Sequence, residues 1–393
     1  MPKKDADVIV IGGGIIGTSI AYQLSKRGKK ALVIEGHDLC SGTSGACDAY
    51  ITPHTKKPGF HLALCLESLK LYANMEKELG DDLEYWQRGG FQPCEDELSF
   101  QLVSENAKAL MAGGLEVKMM DIDEFRRHEP NMSPNLTGAL HCPAACQVNP
   151  FKLVMSYARN LKKMGSGIMV NTEVRDLLWQ DKKVAGVKTG KGDFYADYVV
   201  NATGSWGAQI AAMAGLEAPI EPRRGQIIVT EPTSTVINTT MQSGMYLVIK
   251  FHPEKITDET MKRLGSGFCI EQTGDGTILI GFTREFAGYD KSTTLEGIEY
   301  IVNKACTYLP CLRDMHVIRT FSGFRPYVVD GLPLIGPVEG IPGFIMAAGH
   351  EGDGVALSPI TGKLVAEMIA GEPVSFNIDA FSPNRFIKQA QQA

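Results

Sequence analysis

The sequence predicts an α/β protein with a Rossmann-like dinucleotide-binding domain that is discontinuous in the chain. A second domain of mixed or antiparallel sheet, facing the substrate, is inserted into it. Three observations predict this. The first forty residues read strand, glycine turn, helix, strand. The same buried-strand texture returns at Ile168–Val174, at Tyr198–Gly204 and again at Phe344–Ala348. Between these runs lie short alternating segments that suit an antiparallel sheet. The reading assigns 1–84, 147–218 and 322–393 to the dinucleotide domain and 85–146 and 219–321 to the substrate domain.

Asp7-Val-Ile-Val-Ile11 is apolar and β-branched, as in a strand buried on both faces. It runs into Gly12-Gly-Gly14-Ile15-Ile-Gly17, then a helical stretch, then a second apolar run that ends on Glu35. Gly12 permits the tight turn, Gly14 lets backbone approach a pyrophosphate, and Gly17 allows close helix–strand packing. The helix start, beginning at Ile15, offers N–H groups to a phosphate, while Glu35 can accept from ribose hydroxyls. The small, polar segment Gly36–Asp48 follows, and Gly42, Thr43 and Ser44 suit close wrapping around phosphate or ribose. His54, Lys56 and Lys57 then fall in a short turn-rich stretch.

Residues 60–80 read as one helix, and Ser104–Ala112, Asp123–His128 and Pro150–Leu161 as further helical pieces. Strands are expected at Ile227–Thr230, Met245–Ile249 and Thr277–Ile280, with a long loop at His252–Gly267 and a helix at Leu295–Leu309. The last helix is expected from about Ser358 to Ala370.

The balance of the chain excludes several classes. A net charge of −6 over 393 residues argues against a general binder of nucleic acid or anionic membranes. No apolar run reaches spanning length, and the N-terminus lacks a secretory core. Nine scattered cysteines suggest reduced thiols in the cytoplasm. Cys142-Pro-Ala-Ala-Cys146 has no partner pair of matching spacing, so no metal is expected.

Several separated motifs now join. They are the N-terminal fingerprint, Asn201-Ala-Thr-Gly-Ser-Trp206, GFRPYVVDGLPLIG from Gly323, and AAGHEGDGVALSPITGKLVAEMI from Ala347. Together they resemble the FAD-dependent D-amino-acid oxidase family, which includes glycine and sarcosine oxidases. Within it, the segments after Thr43 and Gly349 look most like the β subunits of multimeric proline, hydroxyproline and opine dehydrogenases.

The resemblance implies FAD and hydride transfer from the Cα–H of a small amino or imino acid to flavin N5, giving an imine. Proline, hydroxyproline (in either stereochemical form) and an opine are the substrates it suggests. It carries adenine-side roles to Val174, Ala202, Gly204 and Trp206, and an isoalloxazine-side role to Gly349, His350, Gly352, Asp353, Gly354 and Val355. Arg325 matches the arginine that holds the substrate carboxylate, a task suited to a planar fork. An ion pair with Asp330 is its alternative. Tyr246, expected on a cavity-facing strand, is a second carboxylate candidate, and His350 and His54 are candidate bases.

Two departures from the family shape the expectation. Oxidase relatives carry an arginine where this chain has Glu351-Gly-Asp353, which suggests a more acidic flavin environment and a dehydrogenase. No histidine precedes Pro150 to tether FMN, so FAD is expected non-covalently, and any FMN at a subunit interface likewise, with Lys56 and Lys57 as phosphate partners. A second flavoprotein and an iron–sulfur protein are the implied electron-accepting partners. The competing readings are a free-standing glycine, sarcosine or D-amino-acid oxidase, a glycerol-3-phosphate dehydrogenase relative, and a flavin domain that modifies tRNA. The acidic balance speaks against the last.

Overall fold

In the computed structural model, which describes residues 3–386, the opening motif folds as its residues dictate. The strands Val8–Ile11 and Ala31–Ile34 are buried, β-branched and parallel, with Val8 opposite Ala31. The helix Ile15–Lys26 crosses between them. Gly12 sits at φ 110°, and a side chain there would strike the carbonyl of Ala202. A Cβ on Gly17 would come within 2.0 Å of the Gly12 carbonyl oxygen, so only glycine lets this helix lie so close to the turn.

Around this unit stands a six-stranded sheet in the order Leu334–Pro337, Phe344–Ala348, Tyr198–Asn201, Val8–Ile11, Ala31–Ile34, Gly167–Met169. All neighbours are parallel except the edge pair Leu334–Pro337 and Phe344–Ala348. The first helix is packed between Pro150–Lys163 and the final helix Gly354–Ala370. Gly362 meets Ser19 at the crossing, and Ser19 Oγ donates to the Ser358 carbonyl at 2.8 Å. A three-stranded antiparallel sheet, Val174–Gln180, Lys183–Thr189 and Gly192–Tyr195, packs beside it.

The second layer is an eight-stranded mixed sheet. Its order is Val317–Val328, Ile220–Thr230, Ile278–Gly281, Cys269–Gln272, Thr240–Gln242, Gly90–Cys94, Gly138–Cys142, Lys118–Asp121. One pair, Thr240–Gln242 with Gly90–Cys94, is parallel, and the others are antiparallel. The long strands Ile220–Thr230 and Val317–Val328 run together in register from Ile220↔Val328, bringing Arg223 opposite Arg325.

Five local expectations change. Ile168–Val174 is not one strand of the first sheet: Gly167–Met169 pairs there, while Val174 opens a strand of the three-stranded antiparallel sheet. Met245–Ile249 is not a strand but lies in the helix Gly244–Phe251. Every residue from Gly244 to Ile249 is buried, so the run is apolar all round, and periodicity cannot separate strand from helix there. His252–Gly267 contains a helix, Glu259–Leu264, capped by Asp258 and stopped by Gly265 at φ 55°. The helix of residues 60–80 breaks into Phe60–Tyr72 and Met75–Leu79. The final helix begins at Gly354, a turn earlier than expected. No helix among the described residues is long and apolar enough to cross a membrane.

Gly17→Ala should destabilise the fold by about 1–3 kcal/mol, because the obstacle is backbone that cannot rotate away. Denaturant midpoints check this, with Gly36→Ala, which meets nothing within 4 Å among the described residues, as the comparison.

Candidate active site

One continuous cavity of about 360 Å³ runs from the glycine turn to the second sheet. Its near end is lined by Gly12, Gly14, Ile15, Glu35, Gly42, Thr43 and Ser44, with Val174, Ala202, Gly204 and Trp206 opposite. Ser44 Oγ accepts from Ile15 N at 3.0 Å, and Glu35 accepts from the Gly13 and His37 amides at 2.7 and 2.8 Å. These bonds fix the loop so that the helix start faces the cavity. Gly17 lies behind the turn, where it sets the helix position. Gly349, at φ 80° and packed on Val328, turns the chain from the last strand into His350–Val355, which returns to the cavity wall.

The far end is built by side chains. Arg325 projects from Val317–Val328 over the Phe282 ring at 4.7 Å, in space that Gly225 leaves open. Its Nη1 donates to the Thr283 carbonyl at 3.0 Å. Asp330 is not its partner, since Arg385 holds that carboxylate at 2.7 Å. Tyr246 lines the same end from a helix, edge-on to Phe282. Gln242, Asp48 and Thr52 complete this wall.

The two histidines part company. His350 lines the cavity, but burial pushes its pKa down to about 3 and Nε2 lies 3.1 Å from Thr361 Oγ1. It is neutral at ordinary pH and a weak base. His54 is fully buried beside Tyr50, away from the cavity lining, and burial with nearby Lys56 lowers it to about 3 as well. The fold does not bring it to the site.

The expected acidic character of Glu351 and Asp353 is overturned by their partners. Asp353 is paired with Lys56, with His61 at 3.3 Å and Lys250 at 3.7 Å. Glu351 accepts from Arg284 at 2.6 Å, with Arg223 at 4.0 Å. Burial alone would raise both carboxyls, but these cations hold them well below the usual range. Glu351 adopts φ 50°, a left-handed conformation uncommon outside glycine, locked by the pair with Arg284. Lys56, only 1% exposed, is therefore not available to a phosphate at the surface, whereas Lys57 is exposed. Sequence reasoning missed Lys250, Arg284, Arg223, Gln242 and Asp48. The one local signal was Asp48, a charge closing an otherwise small and polar segment.

The cavity fits FAD, with backbone room for a pyrophosphate at one end and a wide, partly apolar chamber at the other. The family model described as DAO, FAD dependent oxidoreductase, matches residues 7–368. The chain belongs to that family.

Other members agree with the match in length and shape. Hydrogen cyanide synthase subunit HcnC of Pseudomonas aeruginosa is 28% identical over 428 residues, covering 98% of this chain and 97% of that protein. Glycine oxidase of Bacillus licheniformis is 28% identical, covering 98% of each. L-proline dehydrogenase from P. horikoshii superposes with a TM-score of 0.88 at 27% identity over 99% of both chains. Glycine oxidase from Geobacillus kaustophilus gives 0.86 at 26% identity, over 97% of this chain and 98% of that one.

As an FAD-dependent oxidoreductase, the protein uses a cofactor that supplies a hydride acceptor when bound. Glycines 12 and 14 and the first helix would hold its diphosphate, Glu35 its ribose, and the segment His350–Val355 its ring system. The start of the final helix and the cations around Glu351 and Asp353 would favour negative charge there.

Asp353→Asn leaves Lys56 buried without a counter-charge, and should cost about 3–5 kcal/mol at neutral pH. The folded pKa of Asp353 lies below its unfolded value, so its stabilisation is complete above the ordinary carboxylate range and is lost as pH falls through the folded value. Thermal unfolding against pH should show the variant losing less on acidification than the parent.

Proposed function

We propose that this protein is the catalytic, FAD-bearing subunit of a dehydrogenase that oxidises the C–N bond of a small amino or imino acid to an imine. A proline-like acid, hydroxyproline and opines included, is the favoured substrate class. Arg325 carries the reading. Among the described residues its only hydrogen-bond acceptor is the Thr283 carbonyl, so the guanidinium has donors left for a carboxylate in the cavity. Tyr246 and Phe282 give the chamber apolar walls suited to a ring or a short chain.

The dehydrogenase reading is supported by likeness to L-proline dehydrogenase and to a subunit of hydrogen cyanide synthase. A second flavoprotein and an iron–sulfur protein are the proposed acceptors. FAD is held non-covalently, in keeping with the stretch Cys146–Pro150, which offers no tethering histidine. An FMN at a subunit interface would draw on Lys57 and not on Lys56. The free cysteines, mostly buried, suit a reducing cytoplasm.

A second reading, an oxidase that gives its electrons to oxygen, is favoured by two observations. One is likeness to glycine oxidases. The other is the set of cations Lys56, Lys250, Arg223 and Arg284 around Glu351 and Asp353, since local positive charge favours superoxide formation.

Stopped-flow reoxidation separates the two. After anaerobic reduction with proline, mixing with aerated buffer should restore the flavin spectrum far more slowly than mixing with an artificial dye. Restoration by oxygen at the rate of turnover, with hydrogen peroxide appearing in step, would establish the oxidase.

A further inference from the structure

Asp48 stands on the cavity wall, and its neighbours define what it can do. Cys269 Sγ lies 3.3 Å from its Oδ2. Behind it, Glu271 accepts from the Ala49 amide at 2.9 Å. Cys269 and Glu271 are two apart on one strand and so share a face, and Gln242 stands directly opposite Cys269 on the neighbouring strand. Gln242 is only 6% exposed and lines the cavity, yet among the described residues its Oε1 has no hydrogen-bond partner. A buried carbonyl oxygen left open on the cavity wall, across the strand from the cysteine that contacts Asp48, calls for a donor from the cavity.

The charges agree. Burial, with Asp48 as neighbour, raises Glu271 to about 8, so at neutral pH it is mostly protonated. Burial raises Asp48 too, but Arg325 is the strongest influence opposing this. Arg325 and the thiol of Cys269 thus favour the ionised form at Asp48, whereas among the described residues no such cation opposes the burial of Glu271. The groups acting on this pair from the packed elements are Arg325, Lys56, Cys47, Cys269 and Tyr50.

We propose that Asp48 and Gln242 form the subsite for the substrate's amine, so that the chamber selects acids bearing a basic nitrogen. This deepens the reading in which Arg325 takes the carboxylate. The substrate arrives as an ammonium; one N–H bond breaks, the proton passes to an Asp48 oxygen, and the electron pair stays on nitrogen. Charge balances, since ammonium and carboxylate become amine and carboxylic acid. The freed pair is what the C=N bond of the product requires, and Asp48 returns its proton to solvent through the cavity.

The test uses FAD-loaded protein and two ligands that lack either a Cα–H or a nitrogen. 2-Methylproline has carboxylate and amine but no hydrogen to transfer; tetrahydro-2-furoate has the carboxylate and an ether oxygen. Dissociation constants come from perturbation of the bound flavin spectrum. Asp48→Asn should weaken 2-methylproline by about 10- to 100-fold, the range for one charged hydrogen bond, and leave tetrahydro-2-furoate nearly unchanged. Asp48→Glu should restore part of the loss, and Arg325→Lys should weaken both ligands. If both ligands bind the parent but Asp48→Asn weakens them alike, or weakens neither, the amine subsite is overturned while the carboxylate reading stands. If neither ligand binds the parent, both readings fall. If Asp48→Asn does not retain FAD, Gln242→Met is read by the same rule, with selective loss of 2-methylproline supporting the subsite and equal loss or none overturning it.

Discussion

Two buried carboxylates at the start of the last helix, Glu351 and Asp353, set the arrangement of the far end of the cavity. Each needs cations, and the cations come from separate parts of the chain. Lys56 follows the turn Pro53–Thr55, His61 lies on the helix Phe60–Tyr72, Lys250 on the helix Gly244–Phe251, and Arg223 and Arg284 on or beside strands of the second sheet. A buried charge without its partner costs several kcal/mol, so these elements must assemble together. The lattice is better understood as a device for one geometry than as a source of net stability, because taking so many charges out of water offsets much of their attraction. Its product is the strip His350–Val355, set along the cavity wall beside Arg325.

Along the cavity the means of recognition change. At the glycine end, backbone does the work. Room for a phosphate arises from missing side chains and from a helix start, and many sequences can meet that demand. At the far end, side chains from two strands, one loop and one helix decide what fits. Arg325, Asp48, Gln242 and Tyr246 are drawn from places distant in sequence, and small changes among them would alter substrate choice without touching the cofactor.

That contrast explains what the sequence disclosed. The opening strand–turn–helix–strand unit was legible because its logic is local: β-branched strands, glycines at fixed offsets, and a terminal acid. The cavity placement of Arg325 and of the segment at His350 was legible through family motifs. The helix carrying Tyr246 was not, because burial on all sides removes the polar face that marks a helix. Glu351 and Asp353 looked like unopposed acids because their partners lie far away along the chain, Lys56 almost three hundred residues earlier. Asp48 was passed over for a similar reason. Its meaning comes from the strand behind it, which holds Cys269 and Glu271, and from Gln242 beside that strand.

The central claim is that this cavity, loaded with FAD, oxidises an acid whose nitrogen and carboxylate flank the carbon that loses hydride. The most direct measurement is bleaching of the bound flavin under anaerobic conditions, on mixing with an amino or imino acid or with its nitrogen-free counterpart. Proline, hydroxyproline and glycine are set against lactate and glycerol 3-phosphate. The account predicts rapid, complete bleaching with at least one of the nitrogen-bearing acids and none with lactate or glycerol 3-phosphate. Bleaching by a nitrogen-free compound, with every amino and imino acid inert, would contradict it.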